Sequence, residues 1–194
     1  MEFDTSKILA GIGSILLAIS FIQPLILLII GAVLLLIGLK GLSEAYGEKK
    51  IYDNSLYAVI IAIVGLVVAI AVLVVFYAGL IGAMFLGGMM HPGAALIGGG
   101  LGAIMGIILV LVVLWVFSIV AGIYFKKTMD LLKEKSGEKL FGTAGLLILI
   151  GVILMILIVG TIILLIAWIL AAIAFFTLKP PAKQEAPQAL PQIA

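Results

Sequence analysis

Cysteine and arginine are absent from this 194-residue sequence, and histidine and asparagine occur once each, as His91 and Asn54. Without cysteine there is no disulfide, no thiolate nucleophile and no thiolate metal centre. Charge is scarce too: charged residues make up 10% of the chain, against about 25% in a soluble domain. The formal net charge of +2, with acids interleaved among the lysines, excludes nucleic acid as a partner on electrostatic grounds. What remains is apolar. Hydrophobic residues account for 65% of the chain and the mean hydropathy is +1.47, the composition of a polytopic membrane protein. Runs such as Ala58 to Phe76 show none of the apolar–polar alternation that a membrane barrel needs. The expected class is therefore all-α, a helical bundle embedded in the bilayer.

The few charges are grouped. Lys7 lies with Glu2 and Asp4; Lys40, Lys49 and Lys50 with Glu44, Glu48 and Asp53; Lys126, Lys127, Lys133, Lys135 and Lys139 with Asp130, Glu134 and Glu138; Lys179 and Lys183 with Glu185. The apolar stretches 8–39 and 140–178 are too long for single crossings. At 1.5 Å per residue the second makes a helix of roughly 58 Å, against a hydrocarbon core of about 30 Å. Each holds a break near its middle: Gln23-Pro24, where proline suits the first turn of a new helix, and Gly160-Thr161, a glycine stop followed by an N-cap. Both stretches are read as tight helical hairpins, over 5–40 and 141–178. Six spans follow, near 5–22, 24–40, 55–78, 99–125, 141–159 and 161–178. That count puts all eleven lysines on one side, and flanking lysine marks the cytoplasmic face. A four-span count divides them. The expected location is a cell membrane, multi-pass, with both termini cytoplasmic.

The acids near the N-terminus and the lack of a small-residue cleavage site argue for a retained first span rather than a signal peptide. Residues 1–178 are expected to form one membrane domain. The tail 179–194, with four prolines, is expected to be disordered. Gly47 and Gly137 each stand where a helix running out of a span needs a left-handed stop. Lys40 with Glu44 and Lys126 with Asp130 have helical i,i+4 spacing. Glu44-Ala-Tyr-Gly47-Glu48-Lys49 recurs as Glu134-Lys-Ser-Gly137-Glu138-Lys139 ninety residues later. An internal duplication and a recurrent loop chemistry explain this equally well.

Residues 79–102 are the least ordinary part of the chain. Nine glycines fall there, each costing a helix about 1 kcal/mol relative to alanine. The segment is expected to be irregular, either a re-entrant gate or, more simply, an apolar outer loop. His91 beside Met89 and Met90 has the soft donors of a Cu(I) site, but three adjacent ligands make a poor one, and a surface histidine before Pro92 is the simpler reading. Gly98, Gly102 and Gly106 have small-xxx-small spacing and are candidate helix-packing residues, within the chain or between copies. Trp115 and Trp168 lie deep in spans and should face other helices. No Asp, Glu, Lys or His falls inside a span, which counts against a proton-coupled transporter. Ser14, Ser20, Ser118 and Gln23 are the notable polar span residues, and they form neither a nucleophile–base pair nor a pair of acids. No phosphate-binding loop is present. No catalytic, cofactor or metal residue is assigned.

Ser6-Lys7-Ile8-Leu9-Ala10-Gly11-Ile12-Gly13, the Leu39-Lys40-Gly41-Leu42-Ser43 exit and the closing Ala167-Trp168-Ile169-Leu170 with Ala174-Phe175-Phe176-Thr177-Leu178 resemble an archaeal multi-pass membrane family catalogued as a domain of unknown function, family 996. The resemblance implies an archaeal source and a six-helix architecture, and carries over no activity and no functional residue. Two functions remain open. One is a structural or partner-binding bundle, not an enzyme, whose partners are the lipid bilayer and a further copy or another membrane protein. The alternative is an uncoupled pore for a neutral or weakly charged solute, lined by Ser14, Ser118 and the backbone of 87–102, with 79–102 as its gate.

Overall fold

The computed structural model describes the backbone of residues 2–20, 24–90 and 92–181, with the side chains of 24, 25, 86, 88–90 and 92–97 excepted. The described residues form six α-helices in order, α1 (Phe3–Ile19), α2 (Pro24–Ala45), α3 (Lys49–Met90), α4 (Pro92–Ser136), α5 (Lys139–Ile153) and α6 (Ile158–Thr177), with a 3₁₀ turn at Leu154–Ile156. Among the described residues there is no strand. Five helical stretches of the described residues are long and apolar enough to cross a membrane: α2, α3, α4, α5 continued through the 3₁₀ turn to Ile156, and α6. At 17 residues, α1 is shorter than the span expected over 5–22. Each helix packs on its neighbours in sequence, and α6 returns onto α1 to close a ring.

The lysine-rich turns form as their glycines dictate. Gly47 and Gly137 have φ of 64° and 74°, the left-handed geometry that lets a helix end without Cβ strain. At the first turn, Glu48 N–H donates to the Ser43 carbonyl and Gly47 N–H to that of Glu44, satisfying the last carbonyls of α2. Glu138 then caps α5 by accepting from Leu140 N–H at 3.2 Å. Glu48 bonds the backbone of Lys50 in the same way at the start of α3.

Of the two short hairpins, the first has α1 ending at Ile19 and Pro24 opening α2, as its missing N–H allows. The Gln23 half of that expected break lies outside the described residues. The second hairpin turns earlier than expected. Leu157 is the extended residue, and Gly160-Thr161 sits inside the first turn of α6. Gly160 is needed there for another reason: a Cβ would collide with the Leu154 carbonyl as the chain doubles back.

The middle hairpin differs most from expectation. Instead of spans over 55–78 and 99–125 joined by an irregular segment, α3 has 42 residues and α4 has 45. Gly79, Gly82, Gly87 and Gly88 lie inside α3; Gly93, Gly98, Gly99, Gly100 and Gly102 lie inside α4. The local cost of glycine is overridden by packing. Gly99, Gly102 and Gly106 receive Met84, Leu80 and Phe76 from α3, and Gly65 receives the Phe117 ring from α4. These pairs, with Tyr57 against Tyr124, keep one antiparallel register along the whole hairpin. Only His91, outside the described residues, separates the two helices.

The densest core lies towards the lysine-bearing end. Leu39, Leu42, Ile51, Met129, Leu132, Phe141 and Phe175 are fully buried there, and the Phe141 and Phe175 rings meet edge-on at 4.9 Å. Away from it the arms of the middle hairpin outrun the other helices. At 1.5 Å per residue α3 is about 63 Å long, whereas α2, which ends at the turn where α3 begins, is about 33 Å.

Candidate functional site

Four separate stretches of sequence come together at the charged end. Lys135 Nζ lies 3.2 Å from Glu48 Oε2, tying the α4–α5 turn to the α2–α3 turn. The Tyr46 hydroxyl donates to the Lys179 carbonyl at 2.8 Å, tying the end of α6 to the same turn. The Phe3 ring meets Tyr46 edge-on at 5.9 Å, which brings in the start of α1. Thr177 Oγ1 approaches Glu138 Oε2 at 3.4 Å, a long contact that adds little. Local pairs fill in the rest: Lys7 with Asp4, Lys126 with Asp130, and Lys127 over the Tyr124 ring at 4.8 Å. The Lys135 ammonium beside Glu48, a hydrogen-bonding partner, holds that carboxyl below its usual range. Burial pushes the Tyr46 hydroxyl up to about 12.

The hydroxyls expected to line a pore are bonded to the backbone of their own helices. Ser14 is fully buried and donates to the Ala10 carbonyl at 2.9 Å. Ser118 donates to the Leu114 carbonyl at 2.8 Å, and Ser20 to that of Leu17 at 2.7 Å. Nor are they neighbours, since α1 packs on α2 and α6 while α4 packs on α3 and α5. A cleft of about 360 Å³ opens between α1 and α6, lined by aliphatic and aromatic side chains such as Ile15, Ile19, Ile169 and Phe176. It presents no polar atom to a solute.

Both tryptophans face other helices, as expected. Trp115 Nε1 donates to the carbonyls of Val152 and Ile153 at the end of α5, at 3.2 and 3.1 Å. The Trp168 ring meets Phe125 at 5.0 Å. His91 and the side chains of Met89 and Met90 lie outside the described residues. Among the described residues, no three His, Asp or Glu side chains gather in a way that suits a metal ion.

Of the three candidate packing glycines, Gly102 and Gly106 are used within the chain, beneath Leu80 and Phe76. Gly98 is not: a Cβ there would meet nothing within 4 Å. The seam uses Gly99 instead. A closer helix contact was missed in the sequence. At the α1–α2 seam, a Cβ on Gly38 would lie 2.5 Å from Ala10 N and 2.6 Å from the Ser6 carbonyl oxygen. A Cβ on Gly13 would lie 2.6 Å from Leu35 N. The signal was there as Ser6, Ala10 and Ser14 at four-residue spacing in α1, with glycines seven residues apart at 31 and 38 in α2.

The model of a protein family described as "Protein of unknown function (DUF996)" matches residues 27–169, from α2 into α6. The chain belongs to this family. A DUF996 assignment agrees with the resemblance carried by the span ends and brings no activity with it. An uncharacterized protein of Methanocaldococcus jannaschii, MJ1644, is 32% identical over 185 residues, covering 95% of this chain and 98% of its own length. No solved structure matches.

Proposed function

We propose that this DUF996 chain is an integral membrane protein, with its lysine-bearing end and both termini at the cytoplasmic face, that serves as a structural and partner-binding bundle rather than as an enzyme or a solute pathway. The observation that carries this reading is the gathering of the four charged stretches at one end through Glu48–Lys135, Tyr46–Lys179 and Phe3–Tyr46. Lysine-rich turns favour the cytoplasmic side, and one end of the molecule holds them together. The apolar helices α2 to α6 run away from that end. Ser14 and Ser118, the best candidates for a polar lining, spend their hydroxyls on their own helices, which counts against the pore. Glu48, Lys135 and Glu138 are engaged in closing turns and joining helix ends, and this supports a structural role for them.

Single cysteines introduced into the cysteine-free chain test the orientation. Lys49→Cys and Glu134→Cys, both at exposed positions, should react with a membrane-impermeant maleimide in inside-out vesicles and stay unreacted in right-side-out ones. Reaction from outside at either position overturns the topology. Vesicles carrying the purified protein should hold small neutral solutes as well as protein-free vesicles do; a saturable leak would favour the pore.

A further inference from the structure

Lysines and acids are not balanced alike at the two lysine-rich turns. The α2–α3 turn carries Lys40, Lys49 and Lys50 against Glu44, Glu48 and Asp53. The α4–α5 turn carries Lys126, Lys127, Lys133, Lys135 and Lys139 against Asp130, Glu134 and Glu138. At this second turn Lys126 holds Asp130, and Lys135 reaches away to Glu48. Glu138 accepts from Leu140 N–H and approaches Thr177. Among the described residues Lys133 and Lys139 form no ion pair. Lys133 is nevertheless held in place. Its stem lies across the seam on Gly142 of α5, where an added Cβ would fall 2.6 Å from Lys133 Cδ and 3.3 Å from Nζ. A long side chain laid along a neighbouring helix gives up rotamer freedom, and no carboxylate offsets the loss.

The seam between α4 and α5 has one flank in the core and one facing out. Along it Gly145 meets Met129 and Lys126, and Gly122 lies beside Val152 and Leu149. On the inner flank Phe125, Leu132, Phe141 and Ile148 are buried. On the outer flank α4 presents Ile123, Lys127, Asp130 and Glu134 at helical spacing, and α5 presents Lys139, Leu146 and Ile150 in the same way. All of these but Asp130 are exposed. Gly142, one turn after Lys139, brings the Lys133 ammonium to this flank as well. Lys126, Lys127, Lys133 and Lys139 therefore outnumber Asp130 and Glu134 there, next to the bare Ile123, Leu146 and Ile150.

We propose that this outer flank binds an anionic phospholipid of the cytoplasmic leaflet, with the phosphate at Lys133 and Lys139 and an acyl chain along Ile123, Leu146 and Ile150. Ammonium groups from adjacent helices at the cytoplasmic side suit an anionic headgroup, and these two are uncommitted within the described chain. A soluble phosphate would use the lysines alone. The apolar strip beside them on the same flank fits a ligand that carries hydrocarbon too. On the disposition proposed above, Lys126 and Lys139 close the apolar stretches of α4 and α5 and so mark the headgroup level. Charge and hydrocarbon surface then lie at the depths where a phospholipid has its own. The α2–α3 turn, with its lysines matched by acids, lacks the excess of positive charge.

The inference rests on that disposition, and one preparation tests the two separately. The full chain with Leu146→Cys, labelled with bimane at this exposed position, is placed in phosphatidylcholine vesicles. These contain a minor fraction of nitroxide-chain phosphatidylglycerol or, in parallel, of nitroxide-chain phosphatidylcholine. Quenching by neither puts 146 outside the bilayer, and disposition and site fail together. Where quenching occurs, phosphatidylglycerol should be preferred roughly tenfold, the worth of one to two lysines at a membrane surface. Lys133→Gln with Lys139→Gln should abolish the preference with helicity unchanged, and Lys49→Gln with Lys50→Gln should leave it. Equal quenching by the two lipids, or equal loss in the two double variants, overturns the site alone. Bimane at Ile37→Cys, exposed on α2 one turn before Lys40, should report a clearly weaker preference; the same preference there shows a general attraction to lysines and also overturns the site. Inorganic phosphate should act no more strongly than chloride of equal ionic strength. Selective loss in phosphate would make free phosphate the ligand and overturn the lipid.

Discussion

Glu48 and Tyr46 give the charged end opposite responses to pH. The folded-state pKa of Glu48 lies below its ordinary value, so its contribution to stability is complete above the unfolded carboxylate pKa. It is lost as pH falls through the folded value. Melting curves of Glu48→Gln and the native chain should therefore differ at neutral pH and converge on acidification below the carboxylate range. A constant gap would place the effect elsewhere. The pair is partly open to solvent, so the gap should be small. Tyr46 behaves in the other sense. Its pKa is raised to about 12, so the neutral hydroxyl stabilises the fold up to pH 10 and the benefit disappears as pH climbs towards 12. Tyr46→Phe should cost about 1 kcal/mol for the lost bond to Lys179, read as a lower melting temperature at neutral pH.

At the level of helices and hairpins, glycines that look alike in sequence have opposite roles. Gly38→Ala forces a methyl into the backbone of α1 and should destabilise by roughly 1–3 kcal/mol. Gly82→Ala meets open space and should stabilise α3 by up to about 1 kcal/mol. Thermal melts that rank the two variants the other way would refute the packing described. The same contrast explains what could be read in advance. The stops at Gly47 and Gly137 were legible because a left-handed cap depends on the residue itself and its near neighbours. Pro24 at the start of α2 was legible for the same reason. The helicity of the glycine-rich arms was not, since the Leu80, Met84 and Phe76 side chains that fill the glycine recesses arrive from another helix. The α5–α6 turn was placed too late because a glycine that permits a close approach looks the same in sequence as one that ends a helix.

For the molecule as a whole, the gathering of the described charged stretches at one end could be read directly, because a charged side chain inside the hydrocarbon is costly wherever it falls. The closed ring of helices could not be read, since α6 meeting α1 depends on contacts such as Phe176 over Gly11 that no local pattern announces. With the densest core towards the charged end, the far part of α3–α4 should contribute little to holding the body together. Removing 83–89 and 93–99 takes about two helical turns from each arm and keeps the inner register. The shortened protein should melt within a few degrees of the native chain, followed by Trp115 and Trp168 fluorescence. Loss of cooperative melting would show that the tip is part of the folding unit.

The charge-free turns bear on how the protein is made. In the orientation proposed, each hairpin enters the bilayer from the cytoplasm turn first. The segments carried across are 20–23, 91 and 154–157 with the apolar tip, and none of them contains Asp, Glu, Lys or Arg. In that orientation neither terminus crosses. Moving a charge through the field costs or gains about 2.3 kcal/mol per 100 mV, and here no such charge moves. Assembly of this chain is thus set by hydrophobic partitioning and helix pairing, and it should proceed equally well in membranes whose potential has been collapsed.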